Sequence, residues 1–225
     1  MDIRDVYDEL VRWTPFLAGG FAWNIAISLL AMALGTLIGA GLAFMREARG
    51  AVLAKPSLAI TNFARNVPAF VLLLYVAFLL PSEFQLFGLV VKVPVWIKAS
   101  LALSIVVVGH VSDTLSVVIR DWRAGHRESA LLFLPSWITH LVFVVMTSSA
   151  ASLIGANEIV FRCSAVVAAT GKGGMLVWIH LYAMLWFFLA CYPLIVAMER
   201  LKLHLRYRHW TAAGAAASLQ TAPKD

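Results

Sequence analysis

Long apolar runs alternate with short polar, mostly basic connections along this chain. Residues 13–45 carry no charge, which is more than a tilted span of roughly 20 residues needs. Residues 66–82 form a shorter charge-free run, and the apolar run 99–119 is interrupted by Asp113. Residues 129–157 and 173–198 are again free of charge. The pattern predicts an all-α membrane protein with five transmembrane helices, at about 17–45, 66–82, 97–119, 132–156 and 174–198. The membrane domain is expected to cover residues 17–205.

Ahead of the first span, Ile3, Val6, Tyr7, Leu10 and Val11 recur at helical spacing, with acids on the other face. Residues 1–16 therefore predict an amphipathic helix on the outer membrane surface. The last stretch is small and polar, so residues 206–225 are expected to be a disordered cytoplasmic tail. Within the first span, Gly35 and Gly39 have the spacing that lets another helix approach closely. Generic packing is the commoner use of such a pair, and a defined partner interface the rarer one.

The charges between the runs orient the bundle. Arg46, Arg49, Lys55 and Arg65 lie between the first and second spans, and Arg120, Arg123 and Arg127 between the third and fourth. Arg200, Lys202, Arg206 and Arg208 follow the fifth. The opposite connections mix signs, with Glu83, Lys92 and Lys98 in one and Glu158, Arg162 and Lys172 in the other. Basic residues collect on the cytoplasmic side, which puts the N-terminus outside and the C-terminus in the cytoplasm.

Composition agrees: 61% of residues are hydrophobic and 13% charged, against about 45–50% and about 25% in soluble domains. The net charge of +6 is therefore a topology signal and not a nucleic-acid footprint. Cys163 and Cys191 have no metal-type spacing, and a disulfide framework is not expected. An acidic N-terminus is unlike a cleavable signal peptide. No His, Ser, Cys or acid falls in a catalytic spacing, so no enzyme activity and no metal are expected. Gly171-Lys172-Gly173-Gly174 lacks the first glycine of a phosphate-binding loop and reads as an outer turn.

The polar tetrad Arg65-Asn66-Val67-Pro68 opens the second apolar run. With the sequence that follows, to Pro81, it resembles the permease subunits of ABC importers for polar amino acids, the histidine, glutamine and glutamate type. In that family an Arg-Gly-Thr-Pro or Arg-Asn-x-Pro tetrad opens the second span. The resemblance continues through Leu101-Ala-Leu-Ser104, Gly109-His110-Val111-Ser112-Asp113, Ser152-Leu153-Ile154-Gly155-x-x-Glu158 and Cys191-Tyr192-Pro193-Leu194. It covers roughly residues 19–205, in order.

The resemblance implies a type I importer permease fold in the bacterial inner membrane. It implies import of a polar amino acid or related small solute by alternating access. No cofactor is expected on this chain, since ATP would be held by a partner subunit. The implied partners are cytosolic ABC ATPases, a second permease subunit (alike or different), an extracytoplasmic solute-binding protein and membrane lipids, but no nucleic acid.

The chain departs from the family at two places. Gly125-His126-Arg127-Glu128-Ser129-Ala130 falls on the family's Gly-x-x-Glu-Ala-Ala, the start of the coupling helix that docks on the ATPase. After it the chain enters the next span directly, so a segment of roughly 20 residues, about 30 Å if helical, is missing. In the fourth span, Met146-Thr147-Ser148-Ser149 stands where the family often has a charged pair. The alternative to an importer subunit is thus a permease-derived scaffold or accessory subunit that has lost ATP coupling.

His110, Asp113, Thr147, Ser148 and Ser149 are candidates for the substrate path; for His110 and Asp113 the competing role is an inter-helix hydrogen bond or a hydrated helix end. Arg65, Asn66, Pro68, Gly125, Glu128, Ser129 and Ala130 are candidates for the ATPase-facing surface, with Arg65 alternatively a snorkelling anchor. Glu158 and Arg162, at helical i,i+4 spacing, either face a binding protein or form a local ion pair.

Overall fold

The computed structural model describes residues 3–48, 51–86, 89–126 and 128–220. Helix α1 (Ile3–Glu47) leads to α2 (Ala51–Asn66) and α3 (Ala69–Leu79). A two-stranded antiparallel hairpin follows, β1 (Glu83–Leu86) paired with β2 (Leu89–Lys92), which the all-α expectation did not contain. Then come α4 (Val95–Arg123), α5 (Glu128–Thr147) with a 3-10 continuation (Ser148–Ile154), α6 (Ile159–Thr170) and α7 (Met175–Gln220). Among the described residues four helical segments are long and apolar enough to cross a membrane, in α1, α4, α5 with its continuation, and α7. Counting α2 and α3 as one bent element makes five.

The bend between α2 and α3 is 103°. Proline at 68 has no N–H to give to the helix ladder and biases Val67 away from helical geometry. Pro68 itself is extended (φ −60°, ψ 137°), and its carbonyl accepts from Val71 and Leu72 to start α3. The second span expected at 66–82 is therefore an 11-residue helix, about 16 Å long and too short to cross alone. Residues 51–66, taken as a connection, are helix α2.

The expected separate helix at 1–16 does not stand apart from the first span. From Ile3 the backbone is one 45-residue helix that passes through Pro15. Its length, about 67 Å, is twice the hydrocarbon core of a bilayer. At the other end of the chain the backbone is helical to Gln220, where a disordered tail is expected from 206; the remaining five residues lie outside the described ones. Cys163 and Cys191 are buried free thiols.

The core is built on the contact of α1 with α4. Ile27, Ala31 and Met32 of α1 meet Ala99, Leu103, Val107 and Val111 of α4, with Leu72 and Leu73 of α3 closing the cluster. Gly35 and Gly39 sit where the helices come closest. A Cβ on Gly35 would lie 2.4 Å from Val107 Cβ, and one on Gly39 would lie 2.9 Å from Val111 Cβ. The small-residue pair thus serves packing within this chain. Trp137 of α5 joins by donating from Nε1 to Thr36 Oγ1 at 2.9 Å.

Lys98 caps α3. Its side chain is almost fully buried, and Nζ donates to the carbonyls of Leu80 (2.7 Å) and Ala77 (3.4 Å) and to Ser82 Oγ (3.2 Å). Carbonyls at a helix C-terminus lack intrahelical partners, and a cation there also favours the helix dipole. The sequence offered Lys98 only as a topology charge.

Ion pairs hold both ends of the bundle. Lys172 pairs with Glu9 at 2.9 Å, joining the α6–α7 turn to the start of α1. Arg46 and Arg65 meet Asp113 at the opposite end.

The glycine geometry gives a paired prediction. Gly35→Ala should destabilise the purified protein by about 1–3 kcal/mol, because α4 must move to admit the methyl group. Gly41→Ala, with nothing within 4 Å of the added carbon, should be neutral or stabilising by up to about 1 kcal/mol. Thermal unfolding in detergent measures both.

Candidate functional site

Three helix segments converge on Asp113, on α4. Arg46, in the last turn of α1, donates from Nη1 to Oδ1 at 2.8 Å. Arg65, in the last turn of α2, donates from Nη1 to Oδ2 at 2.8 Å. The two guanidiniums outweigh one carboxylate, so this node carries a net positive charge. Arg46 also reaches Ser112 Oγ at 3.3 Å, and Ser112 shares a 2.8 Å hydrogen bond with Thr61 of α2. Ser57 of α2 donates to the Leu42 carbonyl of α1 at 2.6 Å. The backbones are equally close, since a Cβ on Gly109 would lie 3.0 Å from the Arg65 amide nitrogen.

The sequence assigned Arg65 to an ATPase-facing surface and Asp113 to a substrate path. The structure joins them in one ion pair. Arg46 was read only as a topology charge; it lies about twelve helical turns along α1, at the end of an over-long first span. The two legs differ in exposure, with the Arg65 side chain 58% exposed and that of Arg46 16%. The Arg46 leg is therefore the better shielded from water and salt.

His110 does not bond Asp113. Its Nε2 lies 3.5 Å from Ser136 Oγ of α5, and its ring stacks on His140 with centroids 3.9 Å apart and planes at 5°. Thr139 beside it accepts from Lys202 Nζ of α7 at 3.4 Å. Between α4, α5 and α7 lies a cleft of about 490 Å³, lined by Asp113, Val117, Ser129, Phe133, Ser136 and Lys202 among others.

Thr147, Ser148 and Ser149 sit elsewhere, seven or more residues from His140, or about 10 Å along the helix. The hydroxyls of Thr147 and Ser149 return to the Phe143 and Met146 carbonyls of their own chain segment. Ser148 is buried and accepts from Asn24 Nδ2 of α1 at 2.9 Å. The five path candidates thus occupy two levels of the molecule.

Asn24 also ties in Glu158. Its Nδ2 donates to Glu158 Oε2 at 3.0 Å, and its Oδ1 accepts from the Ile159 amide at 3.2 Å. Glu158 is fully buried and caps α6 by accepting from the amides of Val160 (3.1 Å) and Phe161 (2.8 Å). Burial pushes its carboxyl up from the ordinary range, and these donors pull the other way. Arg162 forms no local pair with it. Arg162 donates to Asn157 Oδ1 (3.0 Å) and the Phe16 carbonyl (2.6 Å), lying over the Phe16 ring. As a lone amide inside the charge-free run 13–45, Asn24 was legible as a polar contact point but went unread.

The remaining ATPase-side candidates lie at the basic end. Asn66 is exposed and donates to its own Asn62 carbonyl. Helix α4 stops at Arg123 and α5 begins at Glu128, with Gly125 at φ +90° in the turn. A left-handed φ of this kind strains any residue with a Cβ. Ser129 donates to Asp121 Oδ2 across the turn, Ala130 is half-buried, and the side chain of Glu128 lies outside the described ones. Among the described residues of the connection there is no further helix between α4 and α5.

Two pairs of substitutions test these assignments by thermal unfolding in detergent. Asp113→Asn should cost about 1–2 kcal/mol, since it leaves the shielded Arg46 without a counter-charge. Arg65→Gln should cost less than about 1 kcal/mol, being an exposed leg. At the other end, Glu158→Ala should cost about 1–3 kcal/mol, because buried amides and Asn24 lose their acceptor. Arg162→Lys, which loses the planar contact over Phe16, should cost less than that.

No family model matches the chain, and no curated protein matches its sequence. Among solved structures, the chain resembles one described as an amino acid ABC transporter with histidines. The TM-score is 0.71 at 16% sequence identity, over 91% of this chain and 99% of that one. The shared property is the helical fold.

Proposed function

We propose that this chain is a membrane-spanning permease subunit of an ABC importer for polar amino acids or related small solutes. The observation that carries this reading is a fold shared over almost the full length of both chains, at low identity, with an amino acid ABC transporter. Among the described residues, four helical segments able to span a membrane, or five with the bent α2–α3 pair counted as one, and basic residues gathered at one end support a multi-pass protein of the bacterial inner membrane. In this reading the basic end faces the cytoplasm and the Glu158 end faces outward. The chain itself does no chemistry. ATP is bound and hydrolysed by separate cytosolic subunits, and a second permease completes the path. A solute-binding protein delivers cargo at the outer end, where Glu158 fixes the start of α6 and Arg162 is the more accessible group.

Within this reading the Arg46–Asp113–Arg65 node lies beside the ATPase. It links α1, α2 and α4, so displacement of α2 by a partner acts on both long helices. The residues Asn66, Pro68, Gly125, Glu128, Ser129 and Ala130 share that end with Arg65. His110 and Asp113 border the inner part of the path, and Thr147, Ser148 and Ser149 the outer part.

One observation favours a second reading, a permease-derived scaffold or accessory subunit without ATP coupling. The α4–α5 connection has only residues 124–127 between helices, too few for a docking helix. Co-expression with a neighbouring ATPase, binding protein and any second permease separates the two. The importer reading expects a complex that co-purifies and takes up labelled amino acid into vesicles only with ATP. Arg65→Glu should then lower uptake at least about tenfold, a loss of about 1.4 kcal/mol in coupling. A chain that captures no ATPase, alone or with a second permease, sinks the importer reading and leaves the scaffold.

A further inference from the structure

Lys202 faces the wrong way for a topology anchor. A lysine at the end of a span ordinarily extends its head outward to water. Lys202 is half-buried and turns inward, with Nζ 3.4 Å from Thr139 Oγ1. Thr139 spends its own proton on the Pro135 carbonyl at 2.7 Å, so it serves the lysine as an acceptor. An ammonium has three donors, and this one long contact uses one. Among the described residues no carboxylate lies within ion-pair distance of it. Asp113, on the same cleft, is occupied by Arg46 and Arg65, and Asp121 by Ser129.

The cleft around Lys202 is therefore polar and cationic at one part and apolar elsewhere, with Val117, Val118, Leu132 and Phe133 in its walls. It lies at the basic end of three long apolar helices, the level at which lipid headgroups sit. We propose that this cleft binds an anionic phospholipid, its phosphate on Lys202 and the first carbons of an acyl chain against Leu132 and Phe133. A free phosphate would leave the apolar walls without a role. A choline headgroup would bring a second cation toward Lys202 and the net positive node, so the site discriminates in favour of an anionic headgroup.

The test uses the full chain purified in a neutral detergent. It is offered phosphatidylglycerol and phosphatidylcholine of identical acyl chains in equal amounts, and bound lipid is counted by native mass spectrometry. The expected result is retention of phosphatidylglycerol about fivefold over phosphatidylcholine. Lys202→Met should abolish that preference, Lys202→Arg should keep it, and Leu132→Trp, which fills the cleft, should remove both lipids. Millimolar inorganic phosphate should displace neither. Equal retention of the two lipids, an undiminished preference in Lys202→Met, or displacement by inorganic phosphate overturns the proposal. Should Lys202→Met fail to fold, as judged by size exclusion, Leu132→Trp decides alone: unchanged phosphatidylglycerol retention sinks the cleft. No ATPase or transport assay enters, so the result is independent of the importer reading.

Discussion

The structure depends on how closely α1 can lie on α4. At Gly35 and Gly39 there is no side chain between the helices, and the α1 backbone rests on Val107, Val111 and the carbonyls of Ser104 and Val108. In lipid, apolar side chains gain little by leaving one oily surface for another, so helices associate through dispersion and the few hydrogen bonds that close approach permits. The contact is long because both helices are long. It brings Arg46 beside Ser112 and Asp113 at one end of the pair, and leaves Asn24 free to reach the 3-10 segment and α6 nearer the other.

Those two clusters solve different problems. The Asn24–Ser148–Glu158 group is sealed from water, and each of its acceptors has a donor. A buried carboxyl held in this way fixes a geometry, because no alternative arrangement offers as many donors. The Asp113 node is wetter and carries excess positive charge. One of its legs is exposed, so water and ions can substitute for Arg65 at modest cost, whereas Arg46 has no such replacement. One end of the α1–α4 pair is therefore locked, and the other holds an exchangeable contact.

Much of this was written plainly in the chain. Spans appear as charge-free runs because hydrocarbon excludes charge, and Gly35 and Gly39 stand at a spacing that has one geometric use. The short α4–α5 connection was legible because a turn cannot hide residues it does not have. What escaped were features set by contacts distant in sequence. Pro68 signalled a break, yet its angle of 103° is fixed by where α3 and the α2 backbone pack on α4. The capping role of Lys98 needs Leu80 eighteen positions away, and the Arg46 pair needs a residue sixty-seven positions away. Charge patterning placed Lys98 and Arg46 at opposite ends but could not show which carbonyl or carboxylate each would meet. The local ion pair of Glu158 with Arg162, one of the two roles the spacing left open, failed for a related reason. Helical spacing supposes both residues inside the helix, whereas Glu158 is the cap that precedes it.

The node and the short turn are best understood together. Helix α2 ends at Asn66, and the next residues turn sharply, so Arg65 stands at a corner where α2, α3 and α4 meet. Among its described residues the α4–α5 turn beside it has no projecting helix, and Ser129 is tied back to Asp121. A partner arriving at the basic end therefore meets a corner and a closed turn in place of a protruding element. The corner is the softer of the two, since Arg65 is exposed and can be exchanged for another cation, while the turn is held within its own helices. If motion is passed into this bundle from that end, the physical route open to it runs through Arg65 to Asp113 and from there to Arg46. A partner that draws Arg65 away weakens the hold of α2 on α4 and leaves the α1–α4 pair intact, so α2 would swing about the break at Pro68 while α3 stays packed in the core with α1 and α4.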